Sequence, residues 1–424
     1  MEYTKPLAII FLILSYLVVG CKKDHSSAPI PVKLDSLHIN LNLPASRIGQ
    51  QIDPLNIYEL IISESGGKVL LDTVTPYNSP IITWLKTNQK LLDITTVKKW
   101  ATTGSYLIHA YKAIDLTAWV NIPDNDSVQL PSGGTPNPPA VLGITTYTNV
   151  NVPMGSYYNV LNSYGSDAGL AYNRIMYSRY NTFPGDYAYL IFPTLGLYNI
   201  HIITGNGGMV DFSNPDTAVW VPFNKPAYYS TSRFNISGYK DPSDLSRLIN
   251  LTYYSANGDQ ISDASGMFYP GKKYFKKYSF SYYVSDGTNN NSAGISLPYV
   301  DTIPNNPPVP DPSWYNVSLA KDTTVSVDFK THKPTYYDVT AHVGDIQFRL
   351  TVPGDSTILR PVGFFIALKS QLLNNQNLSK MNLDQISIVS DAEPNYQAYW
   401  SKRTAIYQAW KTPGSAYSTF VSHF

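Results

Sequence analysis

Cys21 is the residue whose surroundings indicate a specific covalent chemistry. It is the only cysteine in the 424-residue sequence, so no disulfide can form within one molecule. An almost uninterrupted apolar run extends from Leu7 to Val19 and ends in small residues beside the thiol. This run is shorter than the roughly 20 apolar residues that a permanent membrane-spanning helix needs. A short charged start, an apolar middle and a small-residue end are typical of a secretory signal peptide, which we place at residues 1–20.

The run Val18-Val19-Gly20-Cys21 resembles the lipobox of bacterial lipoproteins, in which aliphatic and small residues precede a cysteine. The resemblance implies cleavage before Cys21 and attachment of lipid, such as palmitate, to its thiolate. The next residues, Lys22-Lys23-Asp24, resemble the Lys-then-acid export signal of Bacteroidota-type lipoproteins. We therefore expect a tether over residues 21–35 and an outer-membrane protein that faces outward. The alternatives to a lipobox are an ordinary signal peptide with a chance cysteine and a single anchoring helix. The alternative to an export signal is a solvated tether whose charges only keep it off the bilayer.

Motifs for catalysis, metals and cofactors are not found in the sequence. The seven histidines have no metal-ligand spacing, and neither a Gly-x-Ser-x-Gly elbow nor a phosphate-binding glycine loop occurs. Asp124-Asn125-Asp126 has the alternating oxygens of a calcium loop but lacks the acid that closes one. We therefore assign no catalytic, metal or cofactor residues. The net charge of +1 gives no electrostatic footprint for nucleic acid.

Aromatic residues give the more informative signal, because the chain has 34 Tyr, 7 Trp and 15 Phe. Tyr and Trp stack on the apolar faces of sugar rings, and they also fill cores and half-buried sheet faces. We take Tyr396, Tyr399 and Trp400 as candidate ligand-stacking residues, with packing as the alternative. Adjacent tyrosines in a strand point to opposite faces, so we expect one ring of each Tyr-Tyr pair to lie in the core.

A recurring triplet, Asp followed by Ser or Thr and then in most copies an apolar residue, resembles the acceptor motif of Bacteroidota O-glycosylation. The resemblance implies glycan on Thr73, Ser127, Thr217, Thr302, Thr323 and Ser356. The alternative is ordinary turn chemistry, since Asp with Thr or Ser is common where strands end.

The pattern along the mature chain predicts a mainly β protein built from tandem β-sandwich domains of immunoglobulin or fibronectin type. Apolar residues occupy every second position from Leu37 to Leu43, which is typical of a strand with one buried face. Gly66-Gly67 between two apolar runs predicts a hairpin. Helix is expected to be scarce, with one short candidate at residues 370–381.

Pro- and Gly-rich stretches suggest the domain boundaries, because they remove hydrogen-bond donors and regular dihedral angles. A seam near Gly238 would divide the middle segment into two domains instead of one. The predicted segments are 36–130, a linker at 131–140, a large middle segment at 141–303, a linker at 304–313, and 314–424.

These expectations favour a non-catalytic binding protein of the cell envelope, with a polysaccharide as its ligand, that is similar to accessory lipoproteins of outer-membrane sugar uptake. A structural or adhesive surface protein with a protein partner is the first alternative. An envelope hydrolase is the weakest, because sequence does not show whether two carboxylates face each other across a sugar.

Overall fold

The computed structural model confirms a mainly β chain with little helix. It describes residues 36–42, 57–76, 80–119, 122, 141–162, 166–182, 185, 187–203, 207–217, 219–221, 227–241, 244–251, 267–269, 274–287, 290–405 and 416–424. The signal peptide, Cys21, the tether, the linker at 131–140 and Ser127 lie outside these ranges. No helix in the described ranges has the length and apolar character that crossing a bilayer demands.

The largest element is a mixed sheet that contains twelve of the described strands. Its pairs are antiparallel except that of β24 (Ile346–Pro353) with β6 (Tyr106–Ile114), which is parallel. In spatial order the strands are β17 (Asp244–Asn250), β16 (Thr231–Asp241), β19 (Lys277–Ser285), β20 (Asn291–Val300), β27 (Tyr417–His423), β26 (Asn382–Asp391), β23 (Tyr336–Val343), β24 (Ile346–Pro353), β6 (Tyr106–Ile114), β5 (Leu92–Lys99), β2 (Ile57–Glu64) and β3 (Val69–Pro76).

This sheet crosses both predicted boundaries between segments. β6 of the first segment pairs with β24 of the third, and β20 of the middle segment pairs with β27 of the third. The Pro-rich stretch 304–313 packs on the core rather than away from it, because Val309 is buried and the Pro310 carbonyl accepts a hydrogen bond from Tyr229. Gly238 lies within β16 and faces Phe275 too closely for a Cβ atom, so it marks a packing contact instead of a seam.

Smaller sheets and two α-helices make up most of the rest of the regular structure in the described residues. They are the ribbon of β1 (Ser36–Asn42) and β4 (Pro80–Lys86); the sheet of β10 (Met176–Thr182), β7 (Val141–Thr148) and β13 (Gly207–Asp211); the sheet of β14 (Asp216–Thr217), β12 (Leu197–Ile202), β11 (Tyr187–Phe192), β8 (Ser156–Leu161) and β9 (Ser166–Ala171); the pair β15 (Val219–Val221) and β18 (Met267–Tyr269); the sheet of β21 (Tyr315–Leu319), β22 (Val325–Phe329) and β25 (Ile358–Leu359); and helices α1 (Pro361–Ala367) and α2 (Tyr396–Ala405).

The sheets stack face to face, as in β-sandwiches. One face of the large sheet packs against β21, β22, α1 and part of the five-stranded sheet. The opposite face is covered at β2, β5, β6, β23 and β26 by the β1–β4 ribbon and α2. A third core lies between the β7 sheet and the five-stranded sheet. Period-two side-chain alternation creates these layers, as β19 shows with alternating buried and more exposed positions.

Two local predictions have opposite outcomes. The hairpin at Gly66-Gly67 is confirmed, since β2 pairs with β3 and Gly67 has a φ of +85°. The helix predicted at 370–381 is wrong, because that segment forms turns. Its backbone is held instead by the buried Glu59 carboxylate, which accepts hydrogen bonds from the amides of Gln371 and Leu372.

Candidate functional site

The aromatic residues singled out for ligand stacking lie in a packed cluster. Tyr396, Tyr399 and Trp400 are 6%, 6% and 4% exposed and belong to the core beneath α2. Tyr399 packs on Tyr336 with ring centroids 4.9 Å apart, and the two hydroxyls are 3.1 Å apart. With no open ring face, these three residues serve packing rather than sugar stacking.

A buried polar chain runs under this cluster. Thr351 donates to Asp338, so its oxygen accepts from His109 Nε2 at 2.9 Å, and Tyr111 donates to His109 Nδ1 at 2.9 Å. Arg349 pairs with the same Asp338 carboxylate. Burial, reinforced by the charge of Arg349, holds the pKa of His109 well below its usual value, which keeps the imidazole neutral.

The same side of the large sheet also carries exposed aromatic side chains, at the end away from the cluster beneath α2. We define the Tyr283 face as the outward side chains of β16, β19, β20 and β27, at the end of the sheet that α2 does not cover. Two cross-strand rows compose it. One contains Arg233, Tyr283, Gly294 and Thr419, and the next contains Asn235, Ser281, Ser296 and Tyr417.

Tyr283 packs on the floor of this face, which the β20 backbone forms at Gly294. A Cβ at Gly294 would be 3.3 Å from its Cδ2 atom, so the ring passes close over the β20 backbone. Its hydroxyl donates to Ser292 at 2.7 Å, which fixes the ring orientation. The residue remains 49% exposed, as expected for a ring with one face on the sheet and one toward solvent. Its neighbour Tyr282 is 1% exposed, which confirms the expected division of the Tyr-Tyr pair.

Beside the ring is a pocket of about 440 Å³ whose lining includes polar side chains. Hydroxyl, amide, guanidinium and imidazole groups line it together with the ring: Ser232, Arg233, Tyr283, Ser285, Asn291, Ser292 and His423. Asp286 is adjacent, but its carboxylate accepts from the backbone and side-chain nitrogens of Asn291. The arrangement offers both donors and acceptors next to an apolar plate.

A second exposed ring extends the face. Tyr417 is 42% exposed and opposes Ser296 in the neighbouring row. Strand spacing and rise place its Cα roughly 12 Å from that of Tyr283. The residues between the two rings are Ser, Gly and Thr, whose short side chains leave the floor low. The face therefore has room for a ligand longer than one sugar ring.

A larger cleft of about 1080 Å³ lies elsewhere, between β6, β24, the α1 region and the start of α2. Its carboxylates are largely engaged within the protein, since Asp93 pairs with Lys112 and Glu393 pairs with Lys402. Lys112 also lies 4.6 Å from the centre of the Phe364 ring, which it covers. The cleft thus lacks the open aromatic plate that the Tyr283 face has.

The candidate glycan acceptors within the described residues occupy different settings. Thr217 and Thr302 are exposed, whereas Thr73, Thr323 and Ser356 are partly buried. Asp322 accepts a hydrogen bond from the Thr324 amide in the tight turn that holds Thr323 at a φ of +64°. Turn chemistry accounts for that triplet, and Thr217 and Thr302 are the sterically open acceptors.

Across the described ranges, no group of three or more His, Cys, Asp or Glu side chains is placed to hold a metal ion. Comparison with known proteins found no matching family model and no matching curated protein. A crystal structure of the pilus adhesin SpaC from Lactobacillus rhamnosus GG aligns at 8% identity over 76% of this chain and 43% of the adhesin, with a TM-score of 0.13. That score carries no argument about fold or function.

Sequence reasoning missed β16, β27 and the beginning of β20, and with them the site. A signal was present, because Gly294 stands alone inside an alternating run, Asn291 to Ser296, with Ser at 292 and 296. An isolated glycine in a strand often marks the close approach of another group. Here the approaching group is the Tyr283 ring.

Proposed function

We propose that this protein is a lipid-anchored, non-catalytic glycan-binding protein of the bacterial cell envelope, and that the Tyr283 face is its binding surface. The observation that carries the proposal is the Tyr283 ring, which packs at Gly294, is anchored to Ser292 through its hydroxyl, and remains 49% exposed. A fixed aromatic plate stacks on a sugar ring with little loss of conformational entropy. The hydroxyl and amide groups of the adjoining pocket suit the sugar hydroxyls.

The anchoring part of the proposal rests on the lipobox resemblance at Cys21. It is tested by replacing Cys21 with Ala and following lipid labelling and membrane fractionation. Loss of labelling together with release from the outer-membrane fraction supports the anchor. Retention of the variant in that fraction contradicts it.

The binding part is tested with a glycan array and then by calorimetry on the full chain in detergent. We expect Tyr283→Ala to weaken binding about tenfold or more, equivalent to roughly 1.4 kcal/mol. Tyr177→Ala is the control, since Tyr177 is 66% exposed against 49% for Tyr283 and lies on β10 of another sheet. Binding that is insensitive to Tyr283, or equally sensitive to both, contradicts this assignment.

One observation favours a protein partner as the second candidate function. On the β7 sheet, Tyr177, Thr146 and Met209 form one cross-strand row whose outer face is exposed. Ile144 is exposed in the adjacent row. Exposed apolar side chains grouped on one face are typical of protein interaction sites. Loss of surface-protein crosslinking in Met209→Asp, with glycan binding intact, would favour this second function.

A further inference from the structure

We infer that the Tyr283 face selects acidic glycans, with Arg233 binding a sugar carboxylate; this inference rests on the proposed glycan-binding function. Arg233 opposes Tyr283 directly across β16 and β19, so the cation and the ring plate belong to the same row of the sheet. In this arrangement Tyr283 binds the sugar ring, and Arg233 determines which sugars are preferred.

The charge of Arg233 is not balanced by an ion pair with any residue that the structure describes. Among the ion pairs of the described residues, none includes Arg233, although the buried Arg349 is paired with Asp338. The pocket lining adds His423 and contains no carboxylate. The nearby Asp286 is occupied by two hydrogen bonds from Asn291. A ligand anion would therefore supply the missing counter-charge.

The geometry suits a carboxylate on a sugar better than an isolated anion. A guanidinium binds a carboxylate through two parallel hydrogen bonds, which fixes its orientation as well as its position. With the sugar ring stacked on Tyr283, a carboxylate at its edge can extend toward β16, where Arg233 lies. Ser232, Ser285 and Asn291 line the same pocket and place polar atoms near the ring hydroxyls of such a sugar. A free anion would gain from Arg233 but not from the aromatic plate.

The test uses hexuronate oligosaccharides, each as the free acid and as its methyl ester, with the full chain in detergent. The esters keep the ring and size and remove only the charge. We expect the free acid of at least one series to bind about tenfold more tightly than its ester, with the difference shrinking as salt increases. In Arg233→Gln the difference should disappear, and in Arg233→Lys only part of it should remain.

Arg360→Gln is the matched control, because Arg360 is exposed and lines the larger cleft instead. Equal binding of acids and esters that still depends on Tyr283 overturns the acidic preference and leaves the glycan-binding function standing. Absence of binding to every oligosaccharide, charged or neutral, overturns both. Equal loss in Arg233→Gln and Arg360→Gln would show a nonspecific charge effect and also contradict the inference.

Discussion

One cross-strand row of the large sheet passes through two environments. From β23 to β16 it contains Tyr336, Val389, Thr419, Gly294, Tyr283 and Arg233. At the β23 end α2 covers the row, and Tyr336 packs against the rings of Tyr399 and Trp400. At the β16 end the row is open, and Tyr283 lies over glycine with its outer face exposed.

The difference between the covered and open halves comes from the floor rather than from the aromatic residues. Under α2 the floor contains Val389 and other large apolar side chains, so an aromatic helix buries surface there. Past Thr419 the floor is Gly and Ser, which offer little apolar area to a covering element. A tyrosine in the first setting stabilises the fold, and a tyrosine in the second is available to a ligand.

The largest expected contrast between the halves is in stability. Trp400→Ala should lower the free energy of unfolding by about 3–5 kcal/mol, because a large buried ring is removed from the core. Tyr283→Ala should cost less than about 1 kcal/mol, as half of the residue is already in solvent. Urea denaturation of both variants measures this. Similar losses for the two would show that the open half is packed like the covered one.

A second contrast is pH dependence, which we expect from the covered half. The pKa of His109 is lowered by burial, so the unfolded chain binds a proton below about pH 6.5 before the folded chain does. Stability is therefore complete above about pH 6.5 and falls as the pH decreases, by at most about 1.4 kcal/mol per pH unit for this group.

Urea denaturation of wild type and His109→Gln at pH 7 and pH 5 tests this contribution. The partly buried His201, whose pKa burial lowers to about 4, adds a similar slope and is unchanged in the variant. We expect His109→Gln to lose less stability between the two pH values than the wild type does. Equal pH slopes would contradict a neutral His109 in the fold.

Sequence predicted the regularly alternating strands but not the open surface, for physical reasons. Period-two patterns such as Leu37 to Leu43 report one buried face, and β1 follows that pattern. Burial of Tyr396, Tyr399 and Trp400 depends on Tyr336 and Val389, which come from other strands. Strand order decides which residues become neighbours in the sheet. No local sequence pattern indicates that β6 pairs in parallel with β24.

The finest test of the comparison changes the floor without removing the ring. In Gly294→Ala the new Cβ would lie 3.3 Å from Tyr283 Cδ2 and from the Tyr282 carbonyl oxygen. The Tyr283 ring must therefore move away by a few tenths of an ångström. We expect the affinity for glycan to fall about threefold, roughly 0.6 kcal/mol, with a change in stability below about 1 kcal/mol.

Gly363→Ala in α1 is the control, because no atom lies within 4 Å of its Cβ position. Ala is the better helix former, so this variant should gain about 0.5–1 kcal/mol of stability and bind glycan as the wild type does. Calorimetric titration and urea denaturation of both variants separate the two effects. If Gly294→Ala binds like the wild type, the ring does not depend on a bare floor. The contrast between the two halves then reflects only the presence of α2.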